Sequence, residues 1–253
     1  MDHRTFVCGV PVDDLTCAAM TASCFSLWKA TGRCTVCTPN AVMLAGAARK
    51  PALRALLGSF DRSVADGDGL LLAARLTGVS LTCGKVAGVE LGEALLAEAA
   101  RRGLGVYLYG GRPGVAEEAA VKLKKKLPTL SVVGTRDGYG DEAEAAAAVA
   151  RSGASLILVC LGFPKQERWI TTYGRRLGGI LVGLGGSLDI YAGIKRRAPR
   201  LFRVLHLEWL WRIWREPRRA RSALVAMGLL FRLLLRRLKG RFSSRRAKSA
   251  AGE

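Results

Sequence analysis

The sequence predicts an α/β protein, a Rossmann-like, mostly parallel β-sheet with flanking helices, followed by a C-terminal amphipathic helical appendage. Three observations predict it. Short β-rich runs alternate with helix-like runs as far as Leu184, glycine-rich polar clusters sit directly after the β-rich runs, and tryptophan, arginine and leucine dominate from Lys195 onward.

In chain order, strands are expected at Phe6 to Val10, Cys34 to Thr38, Ser63 to Ala65, Gly105 to Tyr109, Leu130 to Val133, Ser155 to Leu161 and Gly179 to Leu184. Between them, helical patterns cover Leu15 to Lys29, Pro39 to Arg49, Gly69 to Leu76, Val89 to Arg101, Val115 to Leu127, Asp141 to Arg151 and Lys165 to Arg176. Strands that alternate with helices in this way build parallel sheets through βα units. From Val106 to Cys160 the chain reads as two such units ending in a third strand.

With 253 residues and 27.1 kDa, the chain suffices for one large domain and an appendage, not for a second full domain. The expected division is 1–195 for the α/β core, 196–242 for a basic, Trp- and Arg-rich helical appendage, and 243–253 for a disordered basic tail. Half of the residues are hydrophobic and mean hydropathy is +0.18. No uninterrupted apolar run reaches the roughly 20 residues of a spanning helix, so no transmembrane segment is expected.

The net charge is +20, and it is unevenly placed. From Lys195 to Glu253 there are 18 Lys and Arg and 3 acidic residues, a net of +15 that leaves +5 for the first 194 residues. A basic tail of this kind suits an anionic partner: bilayer headgroups, a pyrophosphate substrate or nucleic acid. Seven cysteines and no secretory signal at the N-terminus point to a reducing cytoplasm. Cys34-Thr-Val-Cys37 has the spacing of half a zinc site, but no second such pair follows and the histidines are His3 and His206 alone. In a strand, residues three apart face opposite sides, so both thiols are read as packing groups. No metal ligand set and no cofactor is expected.

Ligands of open parallel sheets bind beyond the carboxyl ends of the strands, and that is where the polar motifs lie. Gly110-Gly-Arg-Pro-Gly114 either cradles a nucleotide diphosphate through backbone N–H groups or forms a tight βα turn. Asp66-Gly-Asp-Gly69 places two carboxylates at a strand-to-helix junction, one suited to a general base and the other to a helix cap; plain turns also use Asp-Gly. Asn40 and Gln166, on neighbouring strand ends, offer the neutral hydrogen bonds that orient sugar hydroxyls and amides. Pro164-Lys-Gln-Glu167 begins a helix, and Asp189 after Gly185-Gly186 either accepts from a base or ribose or caps the next turn.

In the tail, Leu207, Leu210, Trp211 and Trp214 fall at i, i+3, i+4 and i+7, which predicts an amphipathic helix over Arg203 to Glu216, closed by Pro217. On the next helix Arg218, Arg221, Arg232, Arg236 and Lys239 share an arc of about 60° at 100° per residue. Such a basic stripe beside indoles and leucines fits a helix lying in the bilayer interface. It also fits a helix packed on the core with a solvated basic face. No recognised nucleic-acid-binding module precedes it, so no nucleic acid partner is expected.

Several motifs together carry a family likeness: Thr38-Pro-Asn40, Ala65-Asp-Gly67, Gly110-Gly111, Gly162-Phe-Pro-Lys-Gln-Glu167, Gly185-Gly186, Asp189, Arg197-Ala-Pro199, and Glu208-Trp-Leu-Trp-Arg212 with Glu216-Pro217. From about Phe6 to Arg221 the chain resembles the WecG/TagA/CpsF family of bacterial glycosyltransferases, glycosyltransferase family 26. The resemblance implies inverting, metal-independent transfer of a sugar of the N-acetylmannosamine type from a UDP-sugar to a polyprenyl-diphosphate-linked sugar at the cytoplasmic face of the membrane. By the same resemblance Asp66 is the base. Thr38, Asn40, Gly110, Gly111, Gln166, Gly186 and Asp189 serve the donor, and Arg212, Arg218, Arg219 and Arg221 serve the acceptor diphosphate. Lys85, Gly88-Val-Glu90, Asp68 and Ser222 depart from the pattern, where Arg, Gly-x-Asp, a non-acidic residue and Arg are usual.

The resemblance thus implies a peripheral membrane enzyme of cell-surface polysaccharide or teichoic acid synthesis, with room for an oligomer. The rival reading is a non-catalytic membrane-surface adaptor on a nucleotide-sugar-binding fold.

Overall fold

A computed structural model describes residues 4–205, 207–217 and 220–250; the side chains of Arg200, Arg203, Arg212 and residues 240–250 lie outside that description. The expected first strand is instead a hairpin, β1 (Arg4–Val7) paired antiparallel with β2 (Val10–Asp13). The reason is the turn between them. Cys8 and Gly9 both take positive φ, 52° and 77°, a two-residue turn whose twist matches that of paired strands.

The main sheet has six parallel strands in the order β4 (Arg62–Ser63), β3 (Arg33–Cys37), β8 (Gly179–Gly183), β7 (Leu156–Cys160), β5 (Gly105–Gly110) and β6 (Ser131–Arg136). Strands β5, β7 and β8 are apolar throughout because helices cover both faces. On one face, α1 (Cys17–Thr31), α5 (Gly88–Arg101), α6 (Val115–Lys126) and α9 (Ser187–Tyr191) enclose Cys34, Leu108, Leu158 and Val182. On the other, α2 (Ala41–Arg49), α3 (Pro51–Gly58), α4 (Asp68–Leu76), α7 (Glu142–Ser152) and α8 (Lys165–Leu177) enclose Cys37, Tyr109, Ile157 and Leu181. Cys34 and Cys37 therefore face opposite sides as buried packing groups, as their spacing predicts. Helix α3 is absent from the sequence reading. It is a single short stretch begun by Pro51 at its first position, directly after α2, with one fully buried residue, Leu57.

The tail departs from the expected single helix over Arg203 to Glu216. It forms α10 (Arg200–Val204) and α11 (Glu208–Arg215), with Leu207 N returning to Phe202 O at 2.8 Å between them. Then α12 (Ala220–Ala250) runs on past Ser243, where composition alone predicts disorder; its Ala, Lys and Arg are good helix formers. Its Ala226, Leu229 and Leu233 are buried and pack onto α2 and α4. No helix among the described residues is long and apolar enough to cross a membrane.

Candidate active site

The loop after β4 carries Asp66, and three local features fix it. Asp66 N donates to Pro39 O at 2.9 Å, and Val86 N donates to Ala65 O at 2.9 Å, so the strand end is pinned on both flanks. Gly67 then turns the chain at φ 84°, ψ 158°, a conformation open only to glycine, and starts α4. Asp66 Oδ1 accepts from Gly88 N at the head of α5, at 3.4 Å. The neighbouring strand ends are tied just as firmly. Thr38 Oγ1, after β3, donates to Gly183 O at 2.8 Å.

Asp66, Thr38, Gly88 and Gly186 line one cavity of about 320 Å³. The tail closes it: Lys195, Arg196, Arg197 and Ala198 lead into it, and Glu208, Trp211, Arg215 and Glu216 face it from α11 and the residue after. Core and tail thus share one site. Four cations and three carboxylates stand in its lining. Lys195 Nζ bridges Asp189 at 2.7 Å and Glu216 at 3.1 Å, joining α9 to the end of α11. Burial lowers the Lys195 pKa, but its two carboxylate partners outweigh this and hold it above the usual lysine value.

Of the residues expected at the donor, Thr38 and Gly186 line this cavity with Asp66, while Asn40, Gly110, Gly111, Gln166 and Asp189 are not among its lining. Asn40 Oδ1 caps α2, accepting from Val42 N at 3.0 Å and Met43 N at 3.2 Å. Gln166 is buried and bonded through both ends of its amide. Its Oε1 accepts from Gly185 N at 2.8 Å and Gly162 N at 3.2 Å, and its Nε2 donates to Glu167 Oε1 at 2.8 Å. It therefore clamps the loops after β7 and β8 together. Glu167 is buried with Oε2 unpaired, and burial raises its pKa. Gly110 answers a packing demand: a Cβ there would stand 2.3 Å from Cys160 O.

Among the acceptor arginines, Arg218 and Arg219 and the side chain of Arg212 lie outside the described residues, and Arg221 is exposed on the first turn of α12. Sequence reasoning named none of Lys195, Arg197, Trp211 and Arg215 as a site residue, and read Trp211 as part of an amphipathic face. The Arg197-Ala-Pro199 and Glu208-Trp-Leu-Trp-Arg212 motifs were the signal that could have found Arg197 and Trp211. Glu90 pairs with Arg197 Nη2 at 2.5 Å.

Residues 5–243 match the Glycosyl transferase WecG/TagA/CpsF family, a span that takes in the sheet, the tail helices and the cavity between them. Over 180 residues, 70% of this chain and 70% of the relative, the sequence is 35% identical to an N-acetylglucosaminyldiphosphoundecaprenol N-acetyl-beta-D-mannosaminyltransferase of Bacillus spizizenii. Fold and likeness together define the class of the protein, an α/β glycosyltransferase. It belongs to the WecG/TagA/CpsF family.

Proposed function

We propose that the chain is an inverting glycosyltransferase that moves a sugar of the N-acetylmannosamine type from a UDP-sugar to a polyprenyl-diphosphate-linked sugar. The observation that carries this reading is the Asp66 carboxylate in a cavity built jointly by strand ends and a cationic tail. The name of the Bacillus spizizenii relative supplies the sugar and the lipid-linked acceptor.

In this reading the acceptor hydroxyl loses its proton to Asp66 and attacks the anomeric carbon from the face opposite the diphosphate. The bond from that carbon to the diphosphate oxygen breaks, and UDP leaves with the electron pair. Arg197, Arg215 and Lys195 stabilise the departing charge in place of a metal ion. Thr38 and Gly186 shape the donor side.

The membrane surface belongs to the same proposal. On α12, Leu224, Met227, Phe231, Leu234, Leu235 and Leu238 are all exposed, and at 100° per residue they lie opposite the buried Ala226, Leu229 and Leu233. Arg221, Arg232, Arg236 and Lys239 flank that apolar stripe, an arrangement suited to an anionic bilayer interface at the inner face of the cytoplasmic membrane.

The test is UDP release from a panel of UDP-sugars with a short-chain prenyl-diphosphate-GlcNAc acceptor and EDTA, for the native chain and Asp66→Asn. Acceptor-dependent release by the native chain, with kcat lower by about 10²–10⁴-fold in the variant, is expected. Undiminished turnover by Asp66→Asn would remove the base.

A further inference from the structure

One buried hydroxyl joins two parts of the cavity wall. Tyr191, on α9, donates to Val89 O in the first turn of α5 at 2.8 Å, across 102 positions of sequence. Burial pushes the Tyr191 hydroxyl well above the usual tyrosine range, so it stays protonated and donates. Both ends of this bond stand at the cavity: Gly88 and Val89 line it from α5, Ser187 and Ile190 from α9.

The same turn of α5 anchors Asp66. Gly88 N, in the residue before the carbonyl that Tyr191 holds, donates to Asp66 Oδ1 at 3.4 Å. That is the long end of hydrogen bonding, so a drift of a few tenths of an ångström would end it. Helix α9 has other ties, through Lys122 Nζ to Ala192 O at 2.7 Å and Lys195 Nζ to Asp189 at 2.7 Å. Those run to α6 and to the tail, whereas the hydroxyl runs to α5.

Gly92 makes room for the bond. It lies one turn beyond Gly88 inside α5, where glycine is less favourable than alanine. A Cβ there would overlap the Tyr191 hydroxyl oxygen, so this glycine answers to space. Its other close neighbour, Leu184 Cδ1 at 2.7 Å from that Cβ, is the flexible end of a side chain.

We propose that Tyr191 is a positioning residue for Asp66: its hydroxyl holds the first turn of α5 against α9 and so keeps the Gly88 amide on the carboxylate that takes the acceptor's proton. The inference rests on the glycosyltransferase reading above and deepens it.

The test uses the full chain with UDP-N-acetylmannosamine and a short-chain prenyl-diphosphate-GlcNAc. Single-turnover rate, acceptor KM, UDP affinity by calorimetry and the circular dichroism spectrum are compared for the native chain, Asp66→Asn, Tyr191→Phe, Gly92→Ala and the double variant of the last two. Tyr191→Phe is expected to lower the single-turnover rate about tenfold, with UDP affinity and acceptor KM within about twofold of native, because the donor side keeps its own ties. Gly92→Ala should lower the rate similarly, and should add less than about twofold once the hydroxyl is gone, since both changes break one bond. A native rate in Tyr191→Phe beside a crippled Asp66→Asn overturns the positioning role alone. So do a parallel loss of UDP affinity, an unfolded Tyr191→Phe, or losses that multiply in the double variant. A native rate in Asp66→Asn, or a native chain without turnover, overturns the transferase reading and this inference together.

Discussion

Lys85 Nζ lies 2.7 Å from Asp68 Oδ2, an ion pair that ties the segment before α5 to the first residue of α4. Both are about three-quarters buried, and Asp68 opens α4 two residues beyond the proposed base. The pair braces the turn that carries Asp66 into α4.

A double-mutant cycle checks this. Asp68→Asn and Lys85→Met should each destabilise the fold, and the double variant should be milder than their sum by about 0.5–1 kcal/mol, the scale of a partly exposed pair. Additive losses in chemical denaturation would show that the two changes are independent.

Gly110 and Gly114 give a second prediction, because one motif holds two glycines of different necessity. At Gly110, φ is 129° and a Cβ would strike the Cys160 carbonyl oxygen at 2.3 Å; at Gly114, φ is 84° with nothing within 4 Å. Gly110→Ala should therefore cost more than about 3 kcal/mol and Gly114→Ala about 1 kcal/mol. If Gly110→Ala instead kept its stability and lost UDP affinity, the glycine would serve the donor rather than the β5–β7 contact.

The contrast also shows what a sequence discloses. The parallel sheet was legible because β5, β7 and β8 are continuous apolar runs separated by helical periods, and Asp66 because it stands at a strand end before a glycine. Gln166 was read as a sugar ligand since its type and place permit it. That its amide also ties Gly162, Gly185 and Glu167 depends on two loops brought together by the sheet. The Arg197–Glu90 pair spans 107 positions, and no local pattern encodes it. The hairpin of β1 and β2 was missed because Cys8 at positive φ is unusual for a side chain without a short polar group.

Glu167 supplies a pH-dependent prediction. Its carboxyl is buried, with Cys37 nearby, and its pKa is raised above the ordinary 4.5 by burial, while the Gln166 hydrogen bond opposes the shift. A carboxyl whose folded pKa is raised loses stability as pH climbs from its unfolded value through its folded one. The native chain should therefore become less stable across that window above pH 4.5, and Glu167→Gln, which still offers Oε1 to Gln166, should lack the decline. Parallel denaturation curves at pH 5 and pH 8 would show that Glu167 ionises without penalty.

The two faces of α12 make opposite predictions. Leu233 is 8% exposed and belongs to the core cluster with Met43, Leu44 and Leu70, so Leu233→Ala should cost about 2–4 kcal/mol through the cavity it leaves. Phe231, two residues earlier, is 61% exposed on the outward stripe, and Phe231→Glu should stay within about 0.5 kcal/mol of the native stability. Its effect should appear at a surface instead. A carboxylate inside the apolar stripe, beside Arg232, opposes insertion among acyl chains and repels anionic headgroups. Co-sedimentation with vesicles containing phosphatidylglycerol should fall for Phe231→Glu and persist for Leu233→Ala under conditions where that variant is folded. Equal sedimentation of Phe231→Glu and the native chain would move membrane docking off α12 and leave the exposed Trp209 and Trp214 of α11 as the apolar surface to test.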